Sequence, residues 1–332
     1  MPVVAGSFTT YNAAGNREDL SNAIYNIDPF DTPIMSAIKR RGVKNRIFDW
    51  QSENLPTVDT NNAQLEGFQL TPTNSQPTVR LNNVTQISKR DATVSGSQEA
   101  TDKAGKGSEM AHQLALKSKV LKSDMEAIMS SRQPRVDGDN TTPTARMTES
   151  IAHWIARGVD RFGVQGSAVK GYTTGLPVTA YASFGAVAGG NQVPLTEVMI
   201  GDAMQQAYQN GAHPKLLVVP PAIKRTVSTF VGRSTTQVLV GKTEVTQVVD
   251  IIATDFGRIS AVPSLWIPTD IGFLLDPNYA AVAFFRKFKQ ELMAKVGDAV
   301  TRMMLAEWGI EMRNPMAHIL LNGIAPNGYV GS

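Results

Sequence analysis

The chain has 332 residues, 32 Lys and Arg against 29 Asp and Glu, a formal net charge of +3 and no cysteine. Lack of cysteine excludes disulfides, thiolate metal sites, iron–sulfur clusters and a thiol nucleophile, and a three-charge excess is no electrostatic footprint for a dedicated nucleic-acid binder. Charged residues make up 18% of the chain, below the roughly 25% of typical domains, so repulsion between copies is weak and self-association is favoured.

At about 150 residues per domain the length predicts two domains or one large irregular one. Met1 to Gly6 lacks the basic and apolar regions of a signal peptide, and Leu216 to Val219 and Ala280 to Phe285, the most apolar runs, are strand-sized. A soluble intracellular protein is expected. The first 45 residues do not read as a domain. Asn16 can cap a short helix bearing Leu20 and Ile24, Asp28-Pro29-Phe30-Asp31 reads as a turn, and Thr32-Pro33 is a second helix start. Two such helices cannot bury their stripes alone, so the arm must lie on another surface. The basic cluster Lys39, Arg40, Arg41, Lys44 and Arg46 follows. It suits a solvated or salt-bridged connector, or contact with an acidic partner or enclosed nucleic acid.

Ile47 to Trp50 and Thr78 to Leu81 read as strands flanking a polar stretch, Gln51 to Pro77, that carries isolated Leu55, Val58, Leu65, Phe68 and Leu70. Loops this long are uncommon inside compact domains. A long hairpin arm is expected, covered by a neighbouring copy because its edges and apolar side chains are otherwise exposed. Ser108 then caps a helix running to about Arg132, with Met110, Leu114, Leu121, Met125 and Ile128 on one stripe. Lys117, Lys119, Lys122, Asp124 and Glu126 fall on the other faces. At 1.5 Å per residue it spans roughly 36 Å, a spine across a sheet.

Thr144 to Pro277 reads as mixed α/β. One helical face carries Met147, Ile151, Trp154 and Ile155, and another runs from Thr196 to near Gly211. Leu216 to Val219 is a buried strand, Pro220-Pro221 starts a helix with Ile223, Val227 and Phe230, and strands follow at Val245 to Ile252, Arg258 to Val262 and Gly272 to Leu275. The tail from Ala280 to Leu321 is strand-rich, with Gly297 and Gly309 as punctuation.

No chemistry-bearing motif is complete. The four histidines, His112, His153, His213 and His318, include no His-x-x-x-His pair, and no Gly-x-Ser-x-Gly elbow is present. Gly241-Lys242-Thr243 imitates a phosphate loop, but Thr236 stands where the first glycine is required. Gly163-Val164-Gln165-Gly166 lacks the following dinucleotide glycine, and Asp137-Gly138-Asp139-Asn140 reads as a surface turn, not a calcium loop. No catalytic residue, metal ligand or cofactor site is assigned.

Arm, hairpin, spine helix, mixed α/β unit and returning strands follow one another in the order of tailed-bacteriophage major capsid proteins with the Hong Kong 97-like fold. Local sequence agrees: Gly15 to Leu20, Asp28 to Pro33, Ala63 to Gly67, Pro220 to Lys224, and Leu292 to Asp298 with Glu307 resemble that family's major head proteins. The resemblance implies an α+β fold with an N-arm at 1–46 and an E-loop at 47–90. A P-domain at 91–149 and 276–332 would hold the spine helix at about 108–132, and an A-domain would occupy 150–275. It implies no enzyme and no cofactor, but a virion subunit assembled in the host cytoplasm into hexamers and pentamers of an icosahedral shell around double-stranded DNA. A separate scaffolding protein, a portal and a decoration protein would be partners, the DNA would be met non-specifically, and no membrane is involved. No Lys, Asn and Glu set matches the intersubunit crosslink of some relatives. Leu20, Ile24, Phe30, Leu65, Phe68 and Leu70 are the expected intersubunit contacts. An α/β enzyme with an unrecognised site would instead be a stable monomer with a deep polar pocket, and a phage tail component would form tubes or single rings.

Overall fold

The computed structural model describes residues 31–53, 58–69, 78–103, 105–141, 143–162, 168–169, 172–173, 192–230, 251–295 and 297–325. The expected elements at 16–30, 245–250 and Gly241 to Thr243 lie outside them. The described chain opens with helix α1 (Pro33–Ala37) and strand β1 (Lys39–Gly42). Strands β2 (Ile47–Ser52) and β3 (Val79–Val84) form an antiparallel hairpin, Ile47 opposite Val84 and Ser52 opposite Val79. Strand β4 (Gln86–Ser95) and the single-turn helix α2 (Gly96–Ala100) lead to the long helix α3 (Glu109–Ser130), whose N-cap Ser108 accepts the Ala111 N–H at 3.2 Å.

Helix α4 (Ile151–Phe162) starts later than the 147–155 stripe predicts, because Met147 bridges to Val136 in an extended pairing. Two-residue strands β5 (Ala168–Val169), β6 (Tyr172–Thr173) and β7 (Val193–Pro194) precede α5 (Glu197–Gln209), which Thr196 caps through the Met199 N–H at 3.3 Å. The chain leaves α5 through Gly211 at φ +75°. Strand β8 (Leu216–Val219) is buried throughout, and Pro221 opens α6 (Pro221–Ser228), with Phe230 just beyond its end. Strands β9 (Ile251–Thr254), β10 (Gly257–Pro263), β11 (Ile271–Leu275), β12 (Ala280–Leu292), β13 (Ala299–Met312), β14 (Ile319–Asn322) and β15 (Ile324–Ala325) complete the described chain.

Two sheets carry the architecture. One runs β1-β12-β13-β4, with β1 parallel to β12 and the other pairs antiparallel; the second is mixed and runs β5-β6-β14-β11-β8-β10-β9. Helix α3 lies along the first sheet, burying Met110, Leu114, Leu121 and Met125, with Met129 extending the stripe. Chain segments more than 150 residues apart thus share one sheet, and residue 90 lies inside β4, not at its edge. Strand β14 joins the second sheet although it follows β13 in the tail. The larger core gathers Ile34, Trp50, Met125, Trp154, Phe273 and Trp308 from arm, hairpin, helices and both sheets. A second core under α5 and α6 holds Met204, Leu217, Ile223 and Leu274.

Two further sequence expectations change. Gly297 lies in the turn between β12 and β13 at φ +73°, but Gly309 is no break. It sits within β13, where a Cβ would meet the Phe48 ring and the Val84 carbonyl oxygen, each at 2.8 Å. Glycine is required there for the close approach of the hairpin. Glu126, placed by its spacing on a polar face, is fully buried. Gly309→Ala should cost about 1–3 kcal/mol through overpacking, read by denaturant unfolding of unassembled subunits; a change below about 0.5 kcal/mol would show that the hairpin yields freely.

Candidate functional site

The arm is held by charge and by a cap supplied from far away in sequence. Thr32 occupies the N-cap position of α1 but its side chain makes no capping bond. The Glu126 carboxylate of α3 takes that role, accepting the Ile34 N–H at 2.7 Å and the Met35 N–H at 2.8 Å. These are the N2 and N3 donors that a helix start leaves unsatisfied, and a carboxylate also complements the positive end of the helix dipole. Sequence spacing could not show this, because the partner lies 92 residues away. Beyond α1, β1 pairs along Ala281 to Phe284 of β12, and Arg41 reaches the buried Glu311 at 2.6 Å. One member of the basic cluster is therefore salt-bridged, while Lys39, Arg40, Lys44 and Arg46 stay exposed.

The hairpin is rigid at its base and bare toward its tip. Phe48 stacks on Trp50 with centroids 5.8 Å apart, and Trp50 meets Trp154 at 5.3 Å. Between the two strands, the described segment 58–69 exposes Val58 at 91%, Leu65 at 85% and Phe68 at 55% of their surface. Its second turn is closed by the Phe68 N–H on the Leu65 carbonyl oxygen at 3.0 Å, with Gly67 at φ +80°. Of the expected contact residues, Leu65 and Phe68 lie together on this turn. Leu20, Ile24, Phe30 and Leu70 lie outside the described residues.

Buried polar groups are committed to structure. Glu307 of β13 accepts from Thr85 Oγ1 at 2.8 Å, Arg146 at 2.8 Å and Arg286 at 2.7 Å, so two guanidinium groups offset its desolvation. His153 Nδ1 lies 2.7 Å from Glu149 Oε1 in the interior. His318 accepts the Asp276 N–H at 3.2 Å. Among the described residues no group of three or more His, Asp or Glu could hold a metal ion, and no helix is long and apolar enough to cross a membrane. An open cleft of about 530 Å³ lies between the start of α3 and the sheet, lined by Val94, Met110, Leu114, Val300 and Arg302 among others. The sequence carries no motif for this cleft, because its walls come from four separated segments.

A long helix laid on a four-stranded sheet, an adjoining mixed sheet and a projecting hairpin make up the Hong Kong 97-like capsid fold. Solved structures place the chain in that class. It is similar to the cyanophage A-1(L) capsid asymmetric unit, with a TM-score of 0.62 at 11% identity over 95% of this chain and 98% of that one. A Microbacterium phage Oxtober96 structure matches with a TM-score of 0.60 at 10% identity, over 97% of this chain and all of the other. Residues 4–325 match the SU10 major capsid protein family, and the chain belongs to it. The major capsid protein of Escherichia phage Phieco32 is 27% identical over 340 residues, covering 93% of this chain and 95% of that protein. The chain is thus a structural virion protein, a phage major capsid subunit that forms the icosahedral head shell, and not an enzyme.

Two buried groups give the subunit opposed pH responses. Burial pushes the Glu126 carboxyl up from 4.5 to about 7 against the pull of its two backbone donors. Its contribution is full below about pH 4.5 and is lost as pH rises through 7. Burial pushes His318 down from 6.5 to about 4, only partly offset by the Tyr279 carbonyl and Asp276. Its contribution is full above about pH 6.5 and is lost as pH falls through 4. In unassembled subunits the stability gap between wild type and Glu126→Gln should therefore shift against wild type by up to about 3 kcal/mol from pH 4.5 to 7.5. The gap to His318→Gln should shift the opposite way over the acid range, and parallel curves for either variant would refute its assignment.

Proposed function

We propose that this capsid subunit assembles as hexamers and pentamers into a closed shell around double-stranded DNA. In this reading residues 1–46 form an N-arm, 47–90 an E-loop, 91–149 and 276–332 a P-domain, and 150–275 an A-domain. The four-stranded sheet supports a P-domain built from two chain segments, since β4 pairs with β13 along Ala299 to Trp308. The seven-stranded sheet supports an A-domain that borrows β14 from the tail. A scaffolding protein acting during assembly, a portal and a decoration protein complete the partners. The exposed bases Lys39, Arg40, Lys44 and Arg46 suit non-specific proximity to phosphate.

The observation that carries this reading is the bareness of the loop. Val58 and Leu65 are almost bare and Phe68 is more than half exposed, and burying each large side chain on a neighbour contributes up to about 1.5–3 kcal/mol before ordering costs. Leu20, Ile24, Phe30 and Leu70 act in the same way on the arm and the loop. Repetition over many copies makes such modest contacts cohesive, and the near-neutral chain does not oppose them. Deleting residues 51–77 should leave a folded subunit, by circular dichroism and thermal melting, that forms no shells in negative-stain images or sedimentation. Normal shells from the deleted chain would overturn the proposal.

A further inference from the structure

The edge of the four-stranded sheet formed by β1 is unlike the rest of this weakly charged chain. From Lys39 to Arg46 the sequence carries Lys39, Arg40, Arg41, Lys44 and Arg46 and no acid, and every residue of β1 is exposed. Arg41 is committed to the buried Glu311. Lys39, Arg40, Lys44 and Arg46 make no ion pair among the described residues, and exposed Lys287, where β12 runs on past the end of β1, is in the same state.

Strand β1 is also the last strand of its sheet, bonded on one side only among the described residues. The Val43 N–H donates to the Phe284 carbonyl oxygen at 2.9 Å, and Arg41 lies opposite Ala283, so the backbone groups of Lys39, Arg41 and Val43 face β12. Alternation turns the N–H and C=O of Arg40 and Gly42 outward, where no described residue meets them.

Such an edge selects its partner by charge. Two copies of it repel, since pairing would set like charges side by side. Successive side chains of a strand point to opposite faces, so Lys39 and Arg40 put positive charge on both sides of the edge. A phosphate satisfies the cations but is repelled by the outward carbonyl oxygens of Arg40 and Gly42, whereas a peptide strand pairs with donors and acceptors alike.

We propose that β1 takes an added strand, an extended acidic segment of a partner protein whose backbone pairs with Arg40 and Gly42 while consecutive Asp or Glu side chains meet Lys39 on one face and Arg40 on the other. Lys44, Arg46 and Lys287 extend the positive field that draws it in. The proposal goes beyond the reading above, which brings only phosphate near these cations, and it does not depend on the loop as the assembly contact.

The test uses unassembled full-length subunits and a fluorescein-labelled peptide, Thr-Val-Glu-Asp-Glu-Val-Thr. The peptide should bind and should slow hydrogen exchange at the Arg40 and Gly42 amides at least tenfold. The same peptide N-methylated at alternate residues keeps its charge but loses the donors of one edge, and should bind about tenfold more weakly. Arg40→Glu with Lys44→Glu should weaken binding of the unmodified peptide by a similar factor. Should that double variant lose its circular dichroism signal, exchange and N-methylation on the unaltered chain carry the test alone. A short DNA duplex should leave the Arg40 and Gly42 amides unprotected. Equal binding of the N-methylated peptide, or unchanged exchange at Arg40 and Gly42 with peptide bound, would overturn the added strand. A duplex that displaces the peptide and protects the same amides would overturn it too and assign the strip to nucleic acid.

Discussion

Three alternate residues of β13, Glu307, Gly309 and Glu311, fix where the hairpin, the segment before α4 and the arm meet the four-stranded sheet. Residues two apart on a strand share a face, so these form a row of acid, gap and acid. Glu307 binds Thr85, Arg146 and Arg286, the gap at Gly309 admits the Phe48 ring and the Val84 carbonyl, and Glu311 takes Arg41 and Arg313. Hairpin, connecting segment and arm are thereby registered against one strand. That strand is itself locked by β4 from Ala299 to Trp308 and by β12 from Arg302 to Met312. A one-residue slip would turn both carboxylates to the opposite face and put a side chain where the hairpin needs a void.

The row also explains how buried charge is tolerated at the centre of the subunit. A carboxylate removed from water is stabilised only when its lone pairs are filled by well-placed donors. Glu307 has three partners from three chain segments and Glu311 has two arginines. Glu126 differs, since it meets two neutral backbone donors and no cation is among the influences on its ionisation. Its charge is held by a helix terminus alone, which is why burial outweighs the hydrogen bonds and raises its pKa.

Local signals in the sequence located most elements because the forces behind them are local. Ser108 and Thr196 cap the helices that their positions predict, the apolar stripe of α3 is buried except for half-buried Ile128, and β2 and β3 flank the long polar stretch as expected. What stayed illegible depends on distant partners. Strand β4 draws no local reading from the sequence and is defined by β13 beside it, Gly309 looks like punctuation until Phe48 is packed against it, and Glu126 looks solvated until α1 arrives. The cleft at Arg302 is the same case, being assembled from residues that no spacing rule connects. Class was legible through the order of elements and scattered family-like runs; of the expected contact residues the structure describes Leu65 and Phe68, and both are exposed.

The contrast between the base and the tip of the hairpin bears on how a weakly charged subunit builds a cohesive shell. Association is opposed chiefly by the entropy of ordering the groups that make contact. Here Phe48, Trp50 and Trp154 already fix the base, and the ladder from Ile47–Val84 to Ser52–Val79 carries that rigidity outward. On the proposed reading, in which a neighbour covers the loop, a hairpin fixed at its base leaves less to order on contact, so a larger share of the apolar burial at Leu65 and Phe68 survives as net affinity. A hairpin that was loose at its base would forfeit that share, and on that reading the row on β13 that holds the base serves assembly as well as the fold.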